Sequence, residues 1–128
     1  MEVFQIAQHA DDLERAREFY SRLLKAQPRG FFDPPGLLFF QAGPVRLLLE
    51  QPATSALIYL KVDDVRATVE ELRADGVEIV SEPHVIFSHT DDALGPAGTD
   101  EWMAFITDSE GNTVGLVSHA PTDASVRA

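Results

Sequence analysis

The feature that most constrains the fold of this chain is an internal repeat, which appears when the sequence is compared with itself at a shift of 52 residues. The segment that begins at Gln5 then lies over the segment that begins at Leu57, and Asp12 falls on Asp64. The two segments match in hydrophobic pattern more than in residue identity. A chain of 128 residues with two such halves predicts two copies of one supersecondary unit.

Each half begins with a strand that leads into a helix. The short runs at 3–7 and 57–62 are rich in β-branched or aromatic residues, which favours strands. Asp11, with Glu14 three residues later, predicts a capped start for the first helix. Apolar residues then recur at helical spacing: Leu13, Ala16, Tyr20, Leu23 and Leu24 in the first half, and Val65, Val69 and Leu72 in the second.

Three further strands are predicted after each helix, so that each half forms a βαβββ unit. They lie at 27–32, 37–41 and 45–50 in the first half, and at 77–82, 102–107 and 113–118 in the second. Residues 83–101 contain Gly95, Pro96 and Gly98 and are predicted to form a loop or lid. The predicted single domain therefore spans 1–119, with repeat one at 1–50, a linker at 51–55, repeat two at 56–119 and a frayed tail at 120–128.

Composition narrows the classes of partner. The chain has no cysteine, which excludes disulfides and thiolate metal sites. Its net charge of −11 argues against nucleic acid and anionic membranes, because phosphates are held by Lys and Arg. The same charge would steer a cationic ligand toward the protein, although an acidic surface also serves solubility alone. No signal peptide or membrane span is recognisable, so a cytoplasmic location is predicted.

Two short motifs resemble those of a known family. Asp12-Leu13 with Phe19-Tyr20, and the turn from Asp108 to Asn112, resemble motifs of the vicinal oxygen chelate superfamily, which includes glyoxalase I, extradiol dioxygenases and bleomycin resistance proteins. The turn departs from the family pattern only in having Ser109 where proline is usual. The resemblance implies an α+β fold in which two βαβββ repeats form a cup-shaped mixed sheet with helices outside. It also implies a homodimer, but a fold does not fix a function.

The resemblance also implies where a divalent metal ion would bind. In the family's metal-dependent enzymes, the ligands come from the first and last strand of each repeat. The matching positions here are Gln5, Leu47, Leu57 and Gly115, and of these four only Gln5 has a donor side chain. We therefore predict that the usual metal site is absent and that no cofactor is bound.

Three other residues remain candidates for atypical ligands. Glu50 lies three residues beyond Leu47, so strand alternation predicts that it faces the opposite side unless a bulge intervenes. His9 and His119 share the parity of Gln5 and Gly115 and are predicted to line the rim of the cup. The alternative for His9, which lies beside Asp11, is a simple role at the helix entry.

Without a metal, the cup is predicted to bind a small organic molecule through an apolar lining, with a filled core as the alternative. The candidate lining residues are Gln5, Leu47, Leu57, Tyr59, Trp102 and Gly115. Trp102 is the only tryptophan, and it is expected to stack on a flat ligand, to anchor a dimer contact or to pack in the core. His84 is a candidate general base, or else a surface histidine without a role.

Three functions follow from these observations. The first is a metal-free binding protein, similar to bleomycin resistance proteins, that sequesters a small aromatic or cationic compound. The second is an enzyme of the lyase, isomerase or dioxygenase class, which uses either atypical metal ligands or His84 as a metal-free base. The third is a structural or regulatory partner that keeps only the fold. Whether the protein is an enzyme stays open at this point.

Overall fold

The computed structural model describes residues 1–122 of the chain. Its elements in order are β1 (Gln5–His9), α1 (Leu13–Leu24), β2 (Gly30–Phe32), β3 (Leu37–Ala42), β4 (Val45–Glu50), β5 (Ile58–Lys61), α2 (Val65–Ala74), β6 (Ile79–His89), β7 (Thr99–Thr107) and β8 (Thr113–Pro121). They form two compact units. The first unit contains Met1–Ala56 together with the turn Asp108–Asn112, and the second contains Leu57–Thr107 and residues 113–122 of the described chain.

The first unit is a four-stranded mixed sheet with one helix. Its strand order is β1-β4-β3-β2, with β1 parallel to β4 and the other neighbours antiparallel. The helix α1 packs against β3 and β4 and buries Tyr20 against Phe40. Leu38, Leu47 and Leu49 are buried with them and form the core of this unit.

The second unit repeats this arrangement. Its strand order is β5-β8-β7-β6, with β5 parallel to β8 and the other neighbours antiparallel. The helix α2 packs against β6, β7 and β8. The buried apolar residues are Val65, Val69 and Leu72 of the helix and Ala104, Ile106, Val114 and Leu116 of the sheet. The predicted α+β class with two βαβββ repeats is therefore confirmed.

The two helices begin at residues that the repeat relates to each other. Asp12 caps α1, because its carboxylate accepts a hydrogen bond from the Arg15 amide at 3.1 Å. Asp64 caps α2 in the same way, accepting from the Arg66 amide at 3.0 Å. The prediction that Asp11 caps the first helix is wrong by one residue, since Asp12 has the extended backbone that a cap requires.

The long predicted loop is mostly strand. β6 continues to His89 and β7 begins at Thr99, so residues 83–89 and 99–101 belong to the sheet and only 90–98 form a connection. Pro83 is tolerated because β6 is an edge strand whose register shifts between Ser81 and His84.

At the other end of the sheet, β8 reaches Pro121, which makes the first two residues of the predicted tail part of a strand. Residues 123–128 of that tail lie outside the described residues. Neither helix in the described part of the chain has the length and apolarity needed to cross a bilayer.

Candidate functional site

The motifs that resemble the superfamily meet in one hydrogen-bonded network in the first unit. Asp108 accepts hydrogen bonds from the backbone amides of Glu110 and Asn112, each at 2.8 Å, which closes the turn. Its second oxygen accepts from the Tyr20 hydroxyl and from the Asn112 side chain. The Asn112 amide also donates to the carbonyl of His9 at 2.8 Å. The turn is thereby fixed to α1 and to the end of β1.

Glu110 extends this network to the start of α1. Its buried carboxylate accepts from the Arg15 guanidinium at 2.7 and 3.1 Å and from the Asp12 amide at 2.8 Å. Burial alone would raise the pKa of Glu110, but the hydrogen bonds from Arg15, from the Asp12 backbone and from Ser109 lower the pKa to about 2. The motif residues therefore fix the helix α1 to the turn. For this reason they indicate the fold rather than the chemistry.

The one donor side chain at the usual metal positions of the first unit, Gln5, is engaged by an arginine. The Gln5 side-chain oxygen accepts a hydrogen bond from Arg46 Nε at 2.7 Å. The Arg46 guanidinium lies 4.7 Å from the ring centre of Phe4 and 5.0 Å from that of Phe39. A guanidinium beside the one donor would repel a dication, so these residues do not fit the metal that the fold family implies.

The side chains of β4 point to the opposite faces from those predicted. Gln5 pairs with Arg46 in parallel, so Leu47 points to the opposite face, where it is buried beneath α1. The prediction that Leu47 shares the face of Gln5 is therefore wrong. Glu50 pairs with His9 and does share that face, contrary to the expectation from strand alternation counted from Leu47.

The structure places His9 at the helix entry. Its Nδ1 lies 2.8 Å from the carbonyl oxygen of Gln51, and its Nε2 lies 3.1 Å from the Asp11 carboxylate. The hydrogen bond to the Gln51 backbone and then the one to Asp11 raise the pKa of this histidine. Both ring nitrogens are therefore engaged by neighbouring residues of the first unit.

In the second unit, the sheet face opposite α2 is called the open face, and aromatic residues lie on it. Tyr59, Gly115 and Phe105 are directly paired across β5, β8 and β7. A Cβ atom at Gly115 would lie only 2.7 Å from the Tyr59 ring, so the glycine allows the ring to rest on the strand. The rings of Tyr59 and Phe105 meet edge to face at 5.9 Å, and Tyr59 is 48% exposed.

Leu57 precedes β5 and is 53% exposed, but it offers no donor atom. Gly115 has no side chain at all. The second unit therefore provides no metal ligand at either of its usual positions.

The two remaining predicted site residues, Trp102 and His84, lie on different strands from Tyr59 and Gly115. Trp102 is on the helix-facing side of β7, where the Arg66 guanidinium lies 4.4 Å above its ring. It cannot share a ligand with Tyr59 and Gly115 on the open face. His84 is exposed on β6, and its Nδ1 lies 2.9 Å from the Glu82 carbonyl oxygen.

Sequence reasoning missed one constellation, which we call the histidine–glutamate cluster: His89 of β6, Glu101 of β7 and His119 of β8. The Nε2 atoms of His89 and His119 lie 2.9 and 3.1 Å from the same oxygen of Glu101. Burial would raise the pKa of Glu101, but the hydrogen bonds from both histidines bring the pKa below its ordinary value. The sequence places His119 on the same face of its strand as Gly115. It does not show that Glu101 lies beside His119, because that depends on the register between β7 and β8.

Comparisons with known proteins agree with this architecture. Residues 3–116 match the family model described as the Glyoxalase/Bleomycin resistance protein/Dioxygenase superfamily. A glyoxylase-like domain-containing protein from Didymella fabae is 33% identical over 116 residues, and the match covers 81% of this chain and 83% of that protein.

Solved structures resemble the fold at lower identity. A lactoylglutathione lyase from Agrobacterium tumefaciens is 22% identical with a TM-score of 0.68, covering 91% of this chain and 92% of that one. TnmS3, described as an antibiotic binding protein from Streptomyces sp. CB03234, is 20% identical with a TM-score of 0.65, covering 95% of this chain and 97% of that one. With the family model spanning almost all of both units, the chain belongs to the glyoxalase/bleomycin resistance protein/dioxygenase superfamily.

Proposed function

We propose that this protein binds a small, flat organic molecule on the open face of the second unit, without a metal at the position usual for the superfamily. The observation that carries the proposal is the half-exposed Tyr59 ring, which rests on Gly115 and meets the Phe105 ring in an edge-to-face arrangement. An aromatic ring held in this way offers its free face to a planar ligand. Small-molecule sites are usually lined by apolar and aromatic side chains with few polar groups, and the residues around Tyr59 have this character.

The class of ligand follows from the surroundings of this face. Leu57 and Tyr59 are both about half exposed and extend the apolar surface along β5. The net charge of −11 favours an aromatic compound that is neutral or cationic over an anionic one. The structural relative described as an antibiotic binding protein shares this fold, so the fold is compatible with the binding of an organic molecule.

The second candidate function, a metal-dependent lyase, isomerase or dioxygenase, needs ligands away from the usual positions. Among residues 1–122, the one group of three His, Asp or Glu side chains with suitably close ligand atoms is the histidine–glutamate cluster. A metal-free enzyme that uses His84 as its base has less support, because that side chain is exposed on the edge strand β6.

We also propose that the protein acts in the cytoplasm as a homodimer. The edge strand β6 exposes Val80, Ile86 and Phe87, each between 43% and 53%, and a second copy would cover such residues. Nucleic acid and anionic membranes are unsuitable partners for a chain with a net charge of −11.

The binding proposal is tested by thermal unfolding in the presence of a library of aromatic and cationic compounds, followed by calorimetric titration of the compounds that stabilise the protein. We expect Tyr59→Ala to weaken binding of such a compound about tenfold, since an aromatic pair contributes about 0.5–1.5 kcal/mol beyond the buried area. Phe32→Ala is the matched control, because Phe32 is an aromatic residue of the first unit with a similar exposure of 54%. A library without any stabilising compound, or equal losses in the two variants, would contradict the proposal.

A further inference from the structure

The histidine–glutamate cluster lies at the end of the open face, where three adjacent strands bring its members together. Glu101 pairs directly with His119 across β7 and β8, and His89 ends β6 on the other side of β7. The paired positions put all three side chains on the same face as Phe105 and Gly115. The cluster is therefore held by neighbouring strands of a hydrogen-bonded sheet, which is a rigid support for a binding site.

The three donor atoms converge on one point. Both histidine Nε2 atoms approach a single oxygen of Glu101, at 2.9 and 3.1 Å, and the three ligand atoms all lie within 4.8 Å of one another. Ligand atoms around a tetrahedral zinc ion with bonds of about 2.0–2.2 Å are roughly 3.4 Å apart. Small side-chain movements would therefore convert this hydrogen-bonded arrangement into a coordination shell, with the metal in place of the two shared protons.

The chemistry of the donors fits a divalent transition metal. Two imidazoles and one carboxylate form a set that binds Zn²⁺ or Fe²⁺ and leaves a position open for water or another ligand. The carboxylate provides one negative charge against the dication. The His89 and Glu101 side chains are 2% and 16% exposed, so a bound ion would be largely shielded from bulk water.

The position of Gly95 beside the two histidines is a second observation that supports a metal site, independent of the donor distances. A Cβ atom at this position would lie 2.8 Å from His89 Nε2 and 3.0 Å from His119 Nε2. The backbone of Gly95 is not in the left-handed region, so its conformation does not require glycine. The missing Cβ atom leaves space beside the two nitrogen atoms, in which a metal bound to both would fit.

From these observations we infer that the second unit carries a mononuclear site for a divalent transition metal, formed by His89, Glu101 and His119. The site is distinct from the position usual for the superfamily, because His119 lies four residues beyond Gly115 along β8, about 13 Å away at the rise of a strand. This inference goes beyond the proposed binding of an organic molecule and does not depend on it.

Zn²⁺ binding to untagged, metal-stripped protein tests the inference directly. We expect one Zn²⁺ per chain by calorimetry, and an unfolding temperature that rises by several degrees at a hundredfold excess over the dissociation constant. His119→Ala and Glu101→Gln should each weaken Zn²⁺ binding at least a hundredfold. Glu101→Gln keeps the size and much of the hydrogen bonding of the side chain, so it serves if His119→Ala fails to fold.

Two control variants make the result specific. His84→Ala removes an exposed histidine from the same strand as His89, and it should leave the Zn²⁺ affinity unchanged. Tyr59→Ala should also leave it unchanged, while it weakens binding of an aromatic compound, so that failure of the metal site and failure of the proposed function are distinguishable. Wild-type protein that binds no Zn²⁺, or that binds it equally well after Glu101→Gln, would overturn the inference and leave the cluster as a hydrogen-bonded support for the strand ends.

Discussion

Replacing the carboxylate of Glu110 by an amide tests the idea that the superfamily motifs stabilise the first unit. The Glu110 side chain is fully buried and accepts hydrogen bonds from Arg15, Asp12 and Ser109. In Glu110→Gln the side chain keeps its shape, but it loses the charge that attracts the Arg15 guanidinium. The side-chain NH₂ group of glutamine would also face groups that donate hydrogen bonds to the carboxylate in the wild type. These donors would then lose their acceptor.

The magnitude follows from the pKa of Glu110. Its value falls from 4.5 to about 2 on folding, a difference that corresponds to about 3 kcal/mol of stability at pH 7. Because Arg15 is about half exposed and can rehydrate, we expect a measured loss of about 2–3 kcal/mol. The folded pKa is depressed, so the stabilisation is complete above the unfolded pKa and is lost as the pH falls from about 4.5 toward 2.

Urea unfolding of the wild type and Glu110→Gln at pH 7, 4 and 3 measures this dependence. The difference in free energy of unfolding between the two proteins should fall at pH 3 to less than half of its value at pH 7. Protonation of the other carboxylates affects both proteins alike. Glu18→Gln is the control, since Glu18 pairs with Arg22 at 3.8 Å on the exposed side of the same helix and should change stability by less than about 0.5 kcal/mol. A difference that stays constant from pH 7 to pH 3 would refute the role assigned to the ionised carboxylate.

Two further predictions concern Leu47 and the oligomeric state. Leu47→Ala should lower the free energy of unfolding by about 3 kcal/mol without changing ligand affinity, because Leu47 is buried beneath α1 rather than on the face of Gln5. Weakened ligand binding with little loss of stability would contradict this prediction. Light scattering of the wild type should give twice the mass of one chain. Ile86→Asp, on the exposed edge strand β6, should shift the protein toward a monomer. A monomeric wild type would contradict the proposed homodimer.

The repeat was the most informative part of the sequence, because it depends on properties that act locally. A capping aspartate before a run of apolar residues at helical spacing predicts a helix regardless of the tertiary structure. The two capping residues, Asp12 and Asp64, are 52 residues apart, which is the shift of the repeat. The edge strand β6 was harder to predict, since Pro83 normally indicates a break. It is accommodated by the irregular pairing near His84, which only the three-dimensional sheet reveals.

The candidate site depends on register, which local patterns specify weakly. A difference of one residue in β4 moves Leu47 from the expected face to the opposite one, together with every other side chain of that strand. The histidine–glutamate cluster needs two such registers at once, between β6 and β7 and between β7 and β8. Before the pairing is known, Glu101 is one acid among the 21 acidic residues of the chain, and nothing in its neighbours distinguishes it.

The same sheet geometry allows a binding site to lie elsewhere on a preserved fold. The Glu110 network contributes to stability, so its residues indicate the architecture, whereas a side chain on the open face can change with little effect on the core. Gly115 and His119 lie on one face of one strand, and a donor missing at the first position is available at the second. A glycine at 115 admits the Tyr59 ring, and a glycine at 95 leaves room beside the two histidines. The open face thus combines an aromatic surface with a separate set of metal ligands, which is why the organic ligand and the metal must be tested independently.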